Sequence, residues 1–211
     1  MNRPPAEPGE GTVMTVRLTL LCAAAPEERD VRFGDVHLDE RALRRARAVA
    51  ATVAAALPEG ASCRTAPSER CRRTAQALGW DAPVVEPSLR DLDLGDWRGR
   101  TLDEVASSDS AGLAAWMTDP EAAPHGGESV AEACGRVAAW LDALPPDAGR
   151  VLTVVEQAVA RAAVLRALDA PLSSFWRVDV PPLCAVRLTG RSGRWNLRMG
   201  VPGTGVLGED G

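Results

Sequence analysis

The sequence predicts an α/β protein: a mainly parallel sheet with helices on both of its faces. Three observations carry this reading. The stretch VRLTLLCAAAP (Val16–Pro26) opens on a short apolar run and ends in small residues, and RVLTVV (Arg150–Val155) is near-continuously apolar, as in strands covered on both sides. Segments of helical period alternate with them, which is the order of a βα-repeating sheet. No internal repeat and no convincing linker interrupts the chain, so residues 13–200 read as one domain.

The elements follow in order. Residues 1–12, MNRPPAEPGEGT, are rich in Pro, Gly and Glu and are expected to form a disordered tail. The first strand then ends in the small residues of Val16–Pro26, and residues 26–37 form a polar, partly acidic loop. Leu38–Leu57 has helical spacing, with Asp39 and Glu40 at its start and Pro58 just past its end. Ala61–Thr65 is a short strand. Pro67–Leu78 is a second helix, with Ser68 as cap and Gly79 as stop. Val84–Val85 is a weak strand, Leu89–Gly99 a turn-rich block, and Leu102–Val105 and Gly112–Met117 are short helical pieces.

Asp119–Gly127 is a Pro/Gly loop. Ser129–Leu144 places Val130, Ala133, Val137, Trp140, Leu141 and Leu144 on one helical face, and Pro145 ends it. The strand Arg150–Val155 leads into a helix over Ala158–Leu168. Val178–Val180, Ala185–Leu188 and Arg194–Met199 read as further strands, and 201–211 as a Gly-rich flexible tail.

Composition narrows the function. Among 211 residues, 45% are hydrophobic and 25% charged, which fits a globular chain with a sizeable core. The net charge of -5 disfavours nucleic acid as a partner. All 24 basic residues are arginine, so Schiff-base and P-loop lysine chemistry are excluded; this usage fits a GC-rich bacterial genome. Five cysteines without paired spacing read as reduced thiols of a cytoplasmic protein. No apolar run is long enough to span a membrane and no signal peptide is visible, so no membrane partner is expected.

Ligands of open α/β sheets sit beyond the carboxyl ends of the strands. Cys22, Ala23 and Ala24 occupy that place after the first strand, and the two alanines carry no chemistry. Five blocks in order resemble the histidine phosphatase superfamily, with the phosphoglycerate-mutase-like fold, over roughly residues 15–200. LLCAAAP is similar to that family's LVRHGET block, and TAPSERCRRTAQAL (Thr65–Leu78) to its SSPLxRARQTAEAL block. LRDLDLGDWRGRTLDEV (Leu89–Val105) resembles LREIDFGxWEGxTxEEI. PHGGES (Pro124–Ser129) resembles PGGES, with Arg136 on the helix behind. VLTVVEQAVARAAV (Val151–Val164) resembles VLVVTHGGVIRALL.

The resemblance implies a three-layer α/β/α sandwich and phosphoryl transfer through a histidine, held by two arginines and a second histidine, with a carboxyl group protonating the leaving group. Position by position, the nucleophile falls on Ala23, the preceding arginine on Cys22 and the second histidine on Glu156. Arg70 keeps the second arginine, and Asp91 the acid/base carboxylate. The substrate-binding set would be Arg70 with His125, Glu128, Ser129 and Trp97.

The same residues have plainer readings. Arg70 is a guanidinium fork for an oxyanion or a surface arginine beside Arg72 and Arg73. Asp91 is a general acid or a turn residue. Glu156 is a helix N-terminal carboxylate, an internal partner of Arg70, or a catalytic base. Cys22 is a thiol nucleophile or a buried small hydrophobe, and the other four cysteines read as packing residues. Trp97 and Trp116 line a substrate mouth or anchor the core. His125 with Glu128 makes too few ligands for a metal, so no metal and no cofactor are expected. An anionic small molecule is the ligand class the arginine suits. Three functions stay open: a degenerate relative that binds without phosphohistidine chemistry, an enzyme using Asp91 and Glu156 as an acid/base pair, and a partner-binding protein with a filled cleft.

Overall fold

The computed structural model describes residues 15–26, 32–34, 37–55 and 60–199; the tails expected at 1–12 and 201–211 lie outside them. The chain runs β1 (Val16–Cys22), α1 (Glu40–Ala55), β2 (Ser62–Thr65), α2 (Glu69–Ala77), β3 (Val84–Val85), α3 (Leu102–Ser108) and α4 (Ser110–Thr118). It continues α5 (Val130–Asp142), β4 (Arg150–Val155), α6 (Gln157–Leu168), β5 (Ala185–Arg191) and β6 (Arg194–Arg198). The sheet order is β3-β2-β4-β1-β5-β6. The pairs β3–β2, β2–β4 and β4–β1 are parallel, whereas β5 and β6 are antiparallel additions beside β1.

Helices α1 and α2 pack together on one layer and α5 and α6 on the other. The central strand β4 is buried from Val151 to Val155, as its apolar run requires. Leu18, Leu20, Leu141, Val154, Leu188 and Phe175 form one continuous core with it. Each fully buried leucine there contributes about 1.5–3 kcal/mol.

Local chemistry fixes the helix ends. The Ser68 hydroxyl accepts the Cys71 N–H at 3.1 Å and starts α2, and Gly79 follows its end at φ 86°. Thr101 with Glu104, and Ser129 with Glu132, form reciprocal capping boxes on α3 and α5. The block Leu89–Gly99 holds parts of two single 3₁₀ turns, Pro87–Leu89 and Gly95–Trp97.

One expected strand is absent: Val178–Val180 is extended but unpaired. Its backbone serves another purpose, because the Val178 carbonyl accepts the Arg161 Nε–H at 2.8 Å. The buried Val180 side chain, not a ladder, anchors the segment. The C-terminal edge of the first expected helix, Leu57, lies outside the described residues.

Candidate active site

The site is built where two neighbouring parallel strands end. Cys22 and Val155 are register partners at the carboxyl ends of β1 and β4. The Ala23 N–H donates to the Val155 carbonyl at 2.8 Å, so Ala23 and Glu156 leave the sheet side by side. This is the crevice where an open α/β sheet places ligands. From the next strand, the Ala66 N–H donates to the Val154 carbonyl at 2.8 Å and brings the start of α2 to the same edge. The Ala24 N–H donates to Thr74 Oγ1 at 3.1 Å, and that hydroxyl donates to the Arg70 carbonyl at 2.9 Å. Small residues at Ala23 and Ala24 let the loop lie against α2.

Glu156 is the centre of this arrangement. It is the N-cap residue of α6, yet its side chain makes no capping bond. Its carboxylate turns instead to α2. Oε1 accepts the Ser68 hydroxyl at 2.6 Å, Arg70 Nε at 3.2 Å and the Cys71 thiol at 3.5 Å, and Oε2 accepts Arg70 Nη2. The carboxylate is only 2% exposed. A buried carboxylate needs such donors, and the N-terminal end of α6 adds a favourable dipole. Both edges of the Arg70 fork used here meet one internal anion, the geometry in which a guanidinium binds phosphate or carboxylate.

The charges confirm the coupling. Burial works to lower the Arg70 pKa, but the charge and hydrogen bonds of Glu156, with the charge of Asp91, raise it instead. Cys22 is buried, and its thiol is pushed up to about 12, first by burial and then by the charge of Glu156. A thiol so raised stays protonated near neutral pH, and the thiol is a weaker nucleophile than the thiolate.

The other candidate residues fall into a buttress beside this pair. Asp91 is half-buried, and its Oδ1 accepts the Leu92 N–H at 2.9 Å. The buried Glu128 carboxylate takes Arg136 through Nε at 2.8 Å and Nη2 at 2.6 Å, and Arg90 Nη2 at 2.9 Å. Arg136 also donates to the Ser88 and Arg90 carbonyls, gripping the strip that leads to Asp91. Ser129 caps α5. Trp97 and Trp116 are buried in a second apolar cluster rather than at a rim. His125 packs edge-on against both of their rings, at centroid distances of 5.0 and 6.2 Å. His125 Nδ1 accepts the Gly127 N–H at 3.1 Å, so the neutral ring carries its proton on Nε2. His37 pairs with Glu69 on the surface. Among the described residues no group of three His, Cys, Asp or Glu side chains gathers as a metal set.

Sequence reasoning brought Arg70 and Glu156 together but gave Ser68 only a capping role and Cys71 only a packing one. Both serve Glu156 as well, because the first turn of α2 aims its hydroxyl, thiol and guanidinium at one point. The signal was present in the spacing Ser68–Arg70–Cys71, but its target sits on another strand.

The sequence pattern of the histidine phosphatase superfamily (branch 1) matches residues 23–200. The chain belongs to that superfamily. It is 32% identical over 122 residues to the adenosylcobalamin/alpha-ribazole phosphatase of Salmonella typhimurium, a match covering 55% of this chain and 60% of the relative. It is 36% identical over 106 residues to the glucosyl-3-phosphoglycerate phosphatase of Mycolicibacterium vanbaalenii, covering 49% of this chain and 47% of the relative. The chain thus spans roughly half the length of the curated relatives it matches. Among solved structures, a mycobacterial glucosyl-3-phosphoglycerate phosphatase complexed with VO3 superposes with a TM-score of 0.71 at 26% identity, over 86% of this chain and 96% of that one. The alpha-ribazole phosphatase of Shigella flexneri gives a TM-score of 0.72 at 22% identity, over 86% and 94%. These likenesses establish the three-layer phosphoglycerate-mutase-like fold.

Proposed function

We propose that this member of the superfamily does not run phosphohistidine chemistry, and that it keeps its own carboxylate in the arginine fork that would otherwise meet a phosphoryl group. The single observation that carries the reading is the Glu156 carboxylate, held by Arg70, Ser68 and Cys71 beside the inert methyl of Ala23. Phosphoryl transfer needs a positioned nucleophile and cations facing the phosphoryl oxygens. Here the methyl has no lone pair, and the guanidinium already has an anion. A mycobacterial relative has been solved in complex with VO3, a small anion. On this reading, Glu156 supplies the anion to Arg70 in this chain.

A degenerate, ligand-binding or partner-binding protein therefore fits better than an acid/base enzyme. The second reading keeps Asp91 and Glu156 as an acid/base pair, and the charge of Asp91 felt at Arg70 speaks for it. Against it, both carboxylate oxygens of Glu156 are engaged by Arg70, with Ser68 and Cys71 also on Oε1.

Reversion is the direct test. Cys22→Arg, Ala23→His, Glu156→His restores a nucleophile and a clamp around Arg70 and Asp91. The folded triple variant should hydrolyse an activated aryl phosphate slowly and take up acid-labile phosphate on the new imidazole. The parent chain should do neither. Stoichiometric acid-labile label on the parent, at His125 or elsewhere, contradicts the proposal.

A further inference from the structure

The last residue of β1 meets an irregular partner at the start of β5. The two strands pair antiparallel, with Leu18 opposite Leu188, Leu20 opposite Val186 and Leu21 opposite Ala185. One step further, the Cys22 N–H donates to the Cys184 carbonyl at 2.9 Å, while the Cys22 carbonyl accepts the Leu183 N–H at 3.0 Å. One residue of β1 is thus matched by two across from it. This is a β-bulge of the kind whose first residue lies in the left-handed region and is usually glycine. Here that residue is Leu183, at φ 61°. The other non-glycine residues with positive φ among those described are Asp169, at the end of α6, and Ser192, in the β5–β6 turn. Such backbone is routine at helix ends and hairpin turns, whereas a leucine side chain makes it unfavourable.

The bulge sets two thiols side by side. Side chains alternate across a strand, so Leu18, Leu20 and Cys22 share one face of the sheet with Leu188, Val186 and Cys184. Opposed residues of antiparallel neighbours have Cα atoms about 4.5–5.5 Å apart, inside the span of about 4.4–6.8 Å that a disulfide bridges. The nearness is felt in the Cys22 pKa, which charge on Cys184 raises further after burial and Glu156. Both thiols are free, Cys22 buried and Cys184 half-buried. The other cysteines are placed differently: Cys63 pairs in register with Leu152, the Cys71 thiol donates to Glu156, and Cys134 lies on α5. Packing asks only for two small side chains at these positions. It accounts neither for two sulfurs facing each other nor for the strained Leu183 that brings them opposite.

We propose that Cys22 and Cys184 are a modification site, a dithiol that a low-molecular-weight disulfide converts into an internal disulfide. The half-buried Cys184 loses its proton and attacks one sulfur of the small disulfide RSSR, forming a mixed disulfide and releasing RSH. The Cys22 sulfur then loses its proton and attacks the Cys184 sulfur, expelling the second RSH. Two protein thiols are oxidised and one RSSR is reduced to two RSH. Burial raises both thiols, so the exchange is slow near neutral pH and is read as an equilibrium. The bond fastens the end of β1, from which Ala23 and Ala24 enter the crevice, to the segment that carries Leu183. Leu183 already packs against the cluster that holds Ala24, Leu38 and Ala42. Oxidation therefore stiffens the crevice from the β5 side, whatever the Arg70 fork holds.

The experiment uses the full chain, equilibrated in buffers graded from reduced to oxidised glutathione and then quenched in acid. Free thiols are alkylated and the digest is weighed by mass spectrometry. A peptide pair joined through Cys22 and Cys184, two hydrogens lighter than its reduced parts, should accumulate as the buffer becomes oxidising and disappear again with reduced glutathione. The loop from residue 22 to residue 184 is long, so the intact oxidised chain should melt about 5–10 °C higher than the reduced one. Hydrogen exchange at the Ala24 amide, which donates to Thr74 Oγ1, should slow about tenfold. Cys184→Ser should lose the bond and the rise in melting temperature, and Cys63→Ser should keep both. Absence of the Cys22–Cys184 peptide from the folded chain in fully oxidised buffer overturns the proposal. So does glutathione held on Cys184 with Cys22 still free, a bond formed only between chains, or the same rise in melting temperature in Cys184→Ser.

Discussion

Two residues carry the reading proposed above. On that proposal, Ala23 offers no lone pair for attack, and Glu156 sets a carboxylate against the Arg70 guanidinium. The Glu156–Arg70 pair is the part that stability measurements can reach. Buried ion pairs are costly to break from one side, since the remaining charge stays in a poorly solvated place. Arg70 is 15% and Glu156 2% exposed at the side chain, so the rule applies here. Glu156→Gln should therefore destabilise the fold by about 3 kcal/mol, and Arg70→Met by a similar amount. The double variant should lose much less than their sum, with a coupling of about 2 kcal/mol in denaturant unfolding. Additive losses would mean that the two groups do not hold one another.

At the scale of elements, the buttress around Asp91 is a close-packed joint between the Gly95–Trp97 turn and the loop before α5. The Asp96 N–H donates to the His125 carbonyl at 2.9 Å, and the Glu128 N–H to the Asp93 carbonyl at 2.7 Å. A Cβ on Gly127 would lie 2.1 Å from the Asp93 carbonyl oxygen, a backbone atom that cannot step aside. Gly127→Ala should cost at least about 2 kcal/mol, as overpacking does. Gly135, inside α5, has nothing within 4 Å of its added Cβ, so Gly135→Ala should gain about 0.5–1 kcal/mol. Thermal melts of the two variants should move in opposite directions.

Such elements were largely legible in the sequence. The periods of α5 and β4, the cap Ser68 and the stop at Gly79 are local signals, and local signals survive folding; the cap at Ser129 went unread. The stretch Val178–Val180 misled because alternating valines read the same whether a neighbouring strand pairs with them or, as here, a guanidinium takes the Val178 carbonyl and one valine is buried. Burial of Trp97, Trp116 and His125 in one cluster was not legible either. It depends on α4 folding back onto a turn about 20 residues upstream, which no periodicity records.

For the whole molecule, stability should carry a mark of the buried imidazole. Burial lowers the His125 pKa below its ordinary 6.5, while Asp93 works in the opposite sense. The folded-state value lies below the unfolded one, so the unfolded chain binds the proton more tightly. Stability is then fully present above about 6.5 and is lost as the pH falls toward the lowered folded value. The urea midpoint should drop between about pH 7 and pH 5, and His125→Gln should flatten that drop. An unchanged slope in the variant would place the titration elsewhere. The occupied arginine fork makes a sharper demand on the same whole-protein observable. A ligand that binds only the folded state stabilises it by RT ln(1 + [L]/Kd) and so raises the melting temperature. The decisive measurement is the melting temperature of the parent chain and of folded Glu156→Ala with and without about 10 mM inorganic phosphate. The account predicts no shift for the parent and, with the Glu156 carboxylate removed, a rise of about 3–5 °C for the variant. A clear rise in the parent that disappears in Arg70→Ala would show that phosphate reaches the fork despite Glu156, and would contradict the account.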